Sequence, residues 1–111
     1  MIENNNDQLP SLNGRQKKFL KGLAHALSPV IQIGKEGITE GLIAATEVEL
    51  VRHELIKVKI GNNSGLEKDE TGKILSEATG SILVQLIGKT LLLYKKNPKR
   101  AKEERILLPK G

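Results

Sequence analysis

Val30-Ile31-Gln32-Ile33-Gly34-Lys35-Glu36-Gly37 decides how this chain is read. Val30, Ile31 and Ile33 among its first four residues are apolar and β-branched, and the run predicts a short buried strand. Gly34 to Gly37 then make a turn, and helical spacing begins after it. A strand that ends in a glycine turn ahead of a helix exposes backbone N–H groups, and the glycines let a ligand's backbone come close. With Lys35 beside those groups, the turn is predicted to seat a phosphate.

Periodicity extends outward from the turn in both directions. Upstream, Asn13 is placed to cap a helix whose Leu20, Leu23, Ala24 and Leu27 fall at i, i+3, i+4 and i+7, with Phe19 flanking the stripe. Arg15, Lys18 and Lys21 fall away from it. Ser28-Pro29 ends this helix, because the residue before proline is pushed out of the helical region. Downstream, Thr39 is suited to cap a second helix reaching about His53, with Leu42, Ile43, Thr46 and Leu50 buried and Glu40, Glu47 and Glu49 on its wet side.

Ile56, Val58 and Ile60 alternate with Lys57 and Lys59, the period of a half-buried strand with a basic outer face. Residues 61–65 form a loop. Ser64 and Glu67 have capping-box spacing for a third helix carrying Ile74, Leu75 and Ala78 and closing near Gly80. Gly72 inside it costs about 1 kcal/mol relative to alanine. Ser81 to Ile87 and Thr90 to Tyr94 are strand-like and are joined by Gly88-Lys89, a connection suited to a tight hairpin. The order helix, strand, helix, strand, helix, strand, strand predicts a single compact α/β domain with a four-stranded mixed sheet packed by helices.

Outside this unit, residues 1–11 are polar and Asn-rich and predict a disordered arm, and residues 97–111 form a basic tail. That tail either folds against a polyanionic partner or only solubilises the chain. Its Ile106-Leu107-Leu108 either docks back or meets a protein.

Composition narrows the function. The 111 residues contain no Cys, which excludes disulfides, thiolate nucleophiles and zinc-thiolate sites and fits a reducing compartment. No apolar run approaches the roughly 20 residues of a membrane span, and the start lacks the basic and apolar regions of a signal peptide, so a cytoplasmic location without a membrane partner is expected. The net charge is +5 and the pI near 9.6, which suggests a polyanionic partner. The charge is also segregated: residues 12–37 carry net +4 and residues 88–111 net +6, against −3 over 39–54 and −2 over 66–80. A bipolar molecule follows, with one face able to meet phosphates.

Other constellations lead nowhere. Gly88-Lys89-Thr90 resembles the end of a nucleotide-binding P-loop, but Leu83 stands where its first glycine belongs and a strand follows where a helix should. His25 and His53 have no Cys or further His to complete a metal site. His53 and Glu54, as chain neighbours, point apart. Neither catalysis, a metal nor a cofactor is expected. Phe19 and Tyr94 are the sole aromatics, which argues against a stacked-base platform and, for a polyanionic partner, favours recognition of shape or local structure. On spacing alone the glycine turn could be a mere strand–helix joint, since short Gly-x-x-Gly sequences are common.

The flanks of the turn decide between these. Leu12-Asn13-Gly14-Arg15-Gln16-Lys17-Lys18-Phe19-Leu20, Pro29 through Gly37, His53-Glu54-Leu55-Ile56-Lys57-Val58-Lys59, and Gly80 with Val84 through Tyr94 resemble, in the same order, the CRM domain of the small stand-alone bacterial YhbY type. The resemblance spans about residues 12–96. It implies a fold similar to the C-terminal domain of bacterial translation initiation factor three, and it implies RNA binding. Bacterial members are associated with precursors of the large ribosomal subunit, and plant relatives with organellar intron splicing.

Carried over, the family's GxxG RNA-contacting loop falls on Gly34, Lys35, Glu36 and Gly37, with Arg15, Lys17, Lys18 and Lys21 flanking it. Lys57 and Lys59 would extend the track, and Glu36 must point away. The chain departs from the family in its Asn-rich arm and in the middle of its second and third helices. A monomeric large-subunit assembly factor that contacts rRNA is therefore expected. The alternatives are a module whose acidic helices meet a ribosomal protein on pre-ribosomal particles, and a splicing cofactor, which the lack of organellar targeting disfavours.

Overall fold

A computed structural model describes residues 11–110. All but the last residue of the arm expected over 1–11 lies outside it. Three helices, α1 (Gly14–Ala24), α2 (Glu40–His53) and α3 (Lys68–Thr79), alternate with strands β1 (Pro29–Ile33) and β2 (Leu55–Ile60) and precede the hairpin β3 (Ile82–Ile87) and β4 (Thr90–Tyr94). The sheet order is β1-β2-β4-β3. β1 runs parallel to β2, whereas β4 is antiparallel to both β2 and β3. The predicted single α/β domain with a mixed four-stranded sheet is therefore the fold found.

Local signals set most of the boundaries. Asn13 caps α1 through a complete capping box with Gln16, and the Thr39 hydroxyl accepts from the Leu42 N–H at the start of α2. Gly80 closes α3 in the left-handed conformation, which glycine adopts without a Cβ penalty. Gly88 has φ 56 at the first hairpin position, where a type II′ turn demands it.

The sheet separates two cores. On one face, α2 and α3 cover Ile33, Ile56, Val58, Ile60, Leu91 and Leu93 with Leu50 and Leu75. On the other, Leu20 and Ala24 of α1 pack with Leu55, Val84, Leu92 and Tyr94. Even and odd positions of β2 and β4 thus face different cores, as strand geometry requires.

Three expectations need correction. First, α1 stops at Ala24, so Leu27 lies past its end, and only Leu20 and Ala24 of the predicted stripe are buried. Leu12, Ile106 and Leu108 complete that core from outside the helix, which therefore needs only a narrow contact and leaves Phe19 and Leu23 exposed. Second, β1 is an edge strand in which only Ile33 is buried, and Val30 is 45% exposed.

Third, α3 is capped by the side chain of Glu67, which accepts from the Glu70 N–H, and not by Ser64, which sits in a 3-10 turn. Its sheet-facing residues include Thr71, Gly72, Leu75, Ser76 and Thr79, while Ile74 and Ala78 are exposed. The hydroxyls of Thr71, Ser76 and Thr79 donate to carbonyls of their own helix, so small polar residues are buried there without unpaired groups. A Cβ on Gly72 would lie 2.9 Å from Leu83 Cδ2 and 3.3 Å from Leu91 Cδ2. Its absence lets the helix approach the sheet closely, a purpose hidden behind its propensity cost.

Residues beyond β4 return to the domain. Glu54, fully buried at φ 64, is the anchor. Its carboxylate accepts from the N–H groups of Asn97 (2.9 Å) and Ile106 (2.8 Å) and from an Arg100 guanidinium nitrogen (3.0 Å). Gln16 of α1 donates to the Pro109 carbonyl at 3.0 Å. Of the two alternatives for Ile106-Leu107-Leu108, docking back is the one found, with Ile106 and Leu108 against the α1 core.

Candidate nucleic-acid interface

Where β1 ends, the Gly37 N–H donates to the Gly34 carbonyl at 3.0 Å and closes a four-residue β-turn. Gly37 has φ 76, so the bend itself accounts for this glycine. Gly34 is different: its φ lies outside the left-handed range, and a Cβ there would meet nothing within 4 Å. The fold does not require glycine at position 34. Open space over a bare Cα leaves room for another backbone to approach.

Gly34, Lys35 and Glu36 are exposed and Gly37 is half-buried. Together with Thr39 and Leu42 they line a shallow depression of about 380 Å³ at the N-terminus of α2. Among the described residues, the N–H groups of Lys35 and Glu36 make no hydrogen bond. Thr39 engages the Leu42 amide, which leaves the amides of Glu40 and Gly41, at the first positions of α2, without an intrahelical partner. Unpaired amides and the positive end of the helix dipole favour an anion there. Glu36 lines the same depression as Lys35 and does not turn clear of it, so the turn by itself carries balanced side-chain charge. A surplus of cations has to come from neighbouring elements.

Strand register identifies those neighbours. Ile33 pairs with Ile60 and Lys59 with Thr90, while the Ile60 N–H donates to the Lys89 carbonyl, so the glycine turn, the loop after β2 and the β3–β4 hairpin share one end of the sheet. Lys59 is exposed at that end. Lys89 reaches it as well and donates to Asn62 Oδ1 at 3.0 Å. Sequence reasoning missed Lys89, because only the register of β2 with β4 brings the hairpin to the turn.

Lys57 is two residues nearer the opposite end of β2, half-buried, and its ammonium donates to the Leu27 carbonyl at 3.0 Å. That bond ties it to the segment after α1. Arg15 and Lys18 are exposed on α1, with Lys17 and Lys21 half-buried, and Arg15 donates to the Lys110 carbonyl at 3.4 Å. Alternation along β2 puts Lys57 and Lys59 on the Leu55 side, the face that α1 covers.

The predicted charge segregation thus acquires a geometry. The α1 side presents Arg15, Lys17, Lys18 and Lys21 with no acidic residue in the helix, while α2 and α3 bring Glu40, Glu47, Glu49, Asp69, Glu70 and Glu77 to the opposite side. His53 and Glu54 do point apart: His53 is exposed with Nε2 3.4 Å from Glu49 Oε1, and Glu54 is buried. Among the described residues no helix is long and apolar enough to cross a membrane.

A small mixed α/β domain with a Gly-x-x-Gly turn at one sheet end and a basic helix opposite two acidic ones defines a recognisable class. The pattern of the CRS1/YhbY (CRM) domain matches residues 12–95, and the chain belongs to that family. It is 40% identical over 102 residues to a protein of Haemophilus influenzae named "RNA-binding protein", covering 92% of this chain and 99% of the other. It is also 40% identical over 86 residues to "Probable RNA-binding protein YqeI" of Bacillus subtilis, covering 78% and 90% of the two chains. The solution structure of the Staphylococcus aureus protein SAV1595 superposes with a TM-score of 0.73 at 44% identity, covering 89% of this chain and all of that one.

Proposed function

We propose that this protein binds RNA, and that its target is rRNA in precursors of the large ribosomal subunit. Gly34 carries the reading: a glycine that neither φ nor packing explains, next to unpaired amides at a helix N-terminus. RNA binding is further supported by the name of the Haemophilus influenzae relative and by family membership. The sugar-phosphate backbone lies against Gly34 and Gly37, phosphate oxygens accept from the amides ahead of α2, and Lys35, Lys59 and Lys89 supply charge at the same sheet end. Arg15, Lys17, Lys18 and Lys21 continue the track along α1. The work is binding, without a catalytic step, by a monomer in the cytoplasm.

Neutralising about four to six phosphates gives a slope of roughly −3 to −5 for log K against log salt. Reversing charge at Lys35 and Lys18 together, both exposed, tests the reading. The expected result is loss of co-sedimentation with ribosomal particles while circular dichroism is unchanged. Unchanged co-sedimentation would favour the other reading, in which the acidic helices bind a basic ribosomal protein. One observation speaks for that second reading: Val48 and Val51 lie exposed on α2 beside Glu47.

A further inference from the structure

The returning tail and α1 enclose a second depression, of about 370 Å³, remote in sequence from the glycine turn. Gln16, Tyr94, Lys96, Arg105 and Leu107 line it together with the buried Glu54. The volume is within the range that accommodates a small ligand.

Arg105 makes this cleft more than a gap in the packing. Its Nε is buried with no hydrogen-bond partner, and among the described residues its guanidinium forms no ion pair. The nearby carboxylate of Glu54 is not its partner, because that group is already held by Arg100 and by the Asn97 and Ile106 amides. Buried polar groups of folded proteins are nearly always paired, so an unpaired guanidinium nitrogen in a cleft marks a place where an acceptor belongs. Lys96 is exposed and without a partner among the described residues, so it adds a second cation. Leu107 is 68% exposed and gives the rim an apolar surface.

Two unpaired cations and an apolar rim suit a ligand that joins an anion to a flat, partly apolar body. We propose that this cleft holds one nucleotide of an unpaired RNA strand, its phosphate on Lys96 and Arg105 and its base against Leu107. The inference rests on the RNA-binding reading above and extends it: the tail is a second contact, folded in advance by Glu54, and Gln16 links it to the basic face of α1. Arg105 uses its fork on the phosphate, a geometry that a lysine at the same position does not reproduce.

Isotope-labelled full-length protein titrated with a mixed-sequence octaribonucleotide provides the test. Amide resonances of Gln16 and residues 105–108 are expected to shift together with those of residues 34–37. Lys96→Gln, at an exposed site, should keep the free protein's spectrum and weaken binding about fivefold at 0.1 M salt, the effect of one single-strand phosphate contact. Arg105→Lys should bind the RNA less tightly than the native protein although charge is kept. If residues 34–37 shift while 105–108 stay still, the cleft is not an RNA site and the turn reading stands. If 105–108 shift and 34–37 stay still, the cleft stands and the turn reading falls. Tail shifts produced by a poly-glutamate peptide and not by the RNA would assign the cleft to an acidic protein and overturn the proposal.

Discussion

Gly34 and Gly37 look alike in sequence and differ in what they do. Gly37 occupies a left-handed position, where any other residue carries steric cost, so Gly37→Ala should destabilise the domain by about 1 kcal/mol in chemical denaturation. Gly34→Ala meets no atom and needs no positive φ, so its melting temperature should match the parent's. Its RNA affinity should fall about fivefold, the equivalent of one hydrogen bond of about 1 kcal/mol. Equal affinity in a filter-binding assay would remove Gly34 from the interface. The turn was legible in the sequence because two glycines three positions apart break an apolar strand run just where helical spacing begins, and the chain has to bend there. The inequality of the two glycines was not legible, since it depends on φ and on the space above each Cα.

Among the elements, β2, the hairpin and the caps at Asn13, Thr39 and Gly80 could be read directly, because alternation and capping are local signals. α3 could not. Its buried side is built from Thr71, Gly72, Ser76 and Thr79 around a single large residue, Leu75, so an apolar stripe sought at helical spacing picks Ile74 and Ala78, which face solvent. The edge position of β1 was hidden for a similar reason: Val30 and Ile31 look like core residues, but sheet order is a long-range property. Close approach of α3 to β3 and β4 gives a prediction of its own. Gly72→Leu must displace Leu83 and Leu91 and should cost about 1–3 kcal/mol in urea unfolding, the usual penalty for overpacking. An unchanged midpoint would mean the helix has room to retreat.

Over the whole molecule, two devices hold the architecture together, and neither was visible in the sequence. One is Glu54, whose partners lie 43 to 52 positions further along the chain. Glu54→Ala would leave Arg100 and two backbone amides without their acceptor, and should destabilise the protein by about 3–5 kcal/mol, as loss of one member of a buried ion pair does. Limited proteolysis should then cut residues 97–110 before the domain; simultaneous digestion of both would show that the tail does not depend on this anchor.

The other device is Tyr94, where β4 ends under α1 and the tail. Burial first, and the nearby charge of Glu54 second, hold its hydroxyl above the usual value of 10.0. Folding therefore favours the protonated phenol, so its contribution is complete below pH about 10 and is lost as pH climbs from there through the folded-state value. Stability of the parent should fall more steeply than that of Tyr94→Phe in this alkaline range, followed by urea midpoints; parallel curves would show that the phenol does not contribute.

Charge on the same scale was half legible. The segregation along the chain was plain in the sequence, and the sheet turns it into opposed faces by placing α1 alone on one side and α2 with α3 on the other. Which lysines converge on the turn was not, because Lys59 and Lys89 meet there through strand register, while Lys57 is drawn toward Leu27. The account is tested most directly by photo-crosslinking the protein to 4-thiouridine-labelled RNA from pre-ribosomal particles and mapping the modified residues. Attachment should fall on residues 34–41 and on α1. Attachment confined to the acidic surface of α2 and α3 would contradict it.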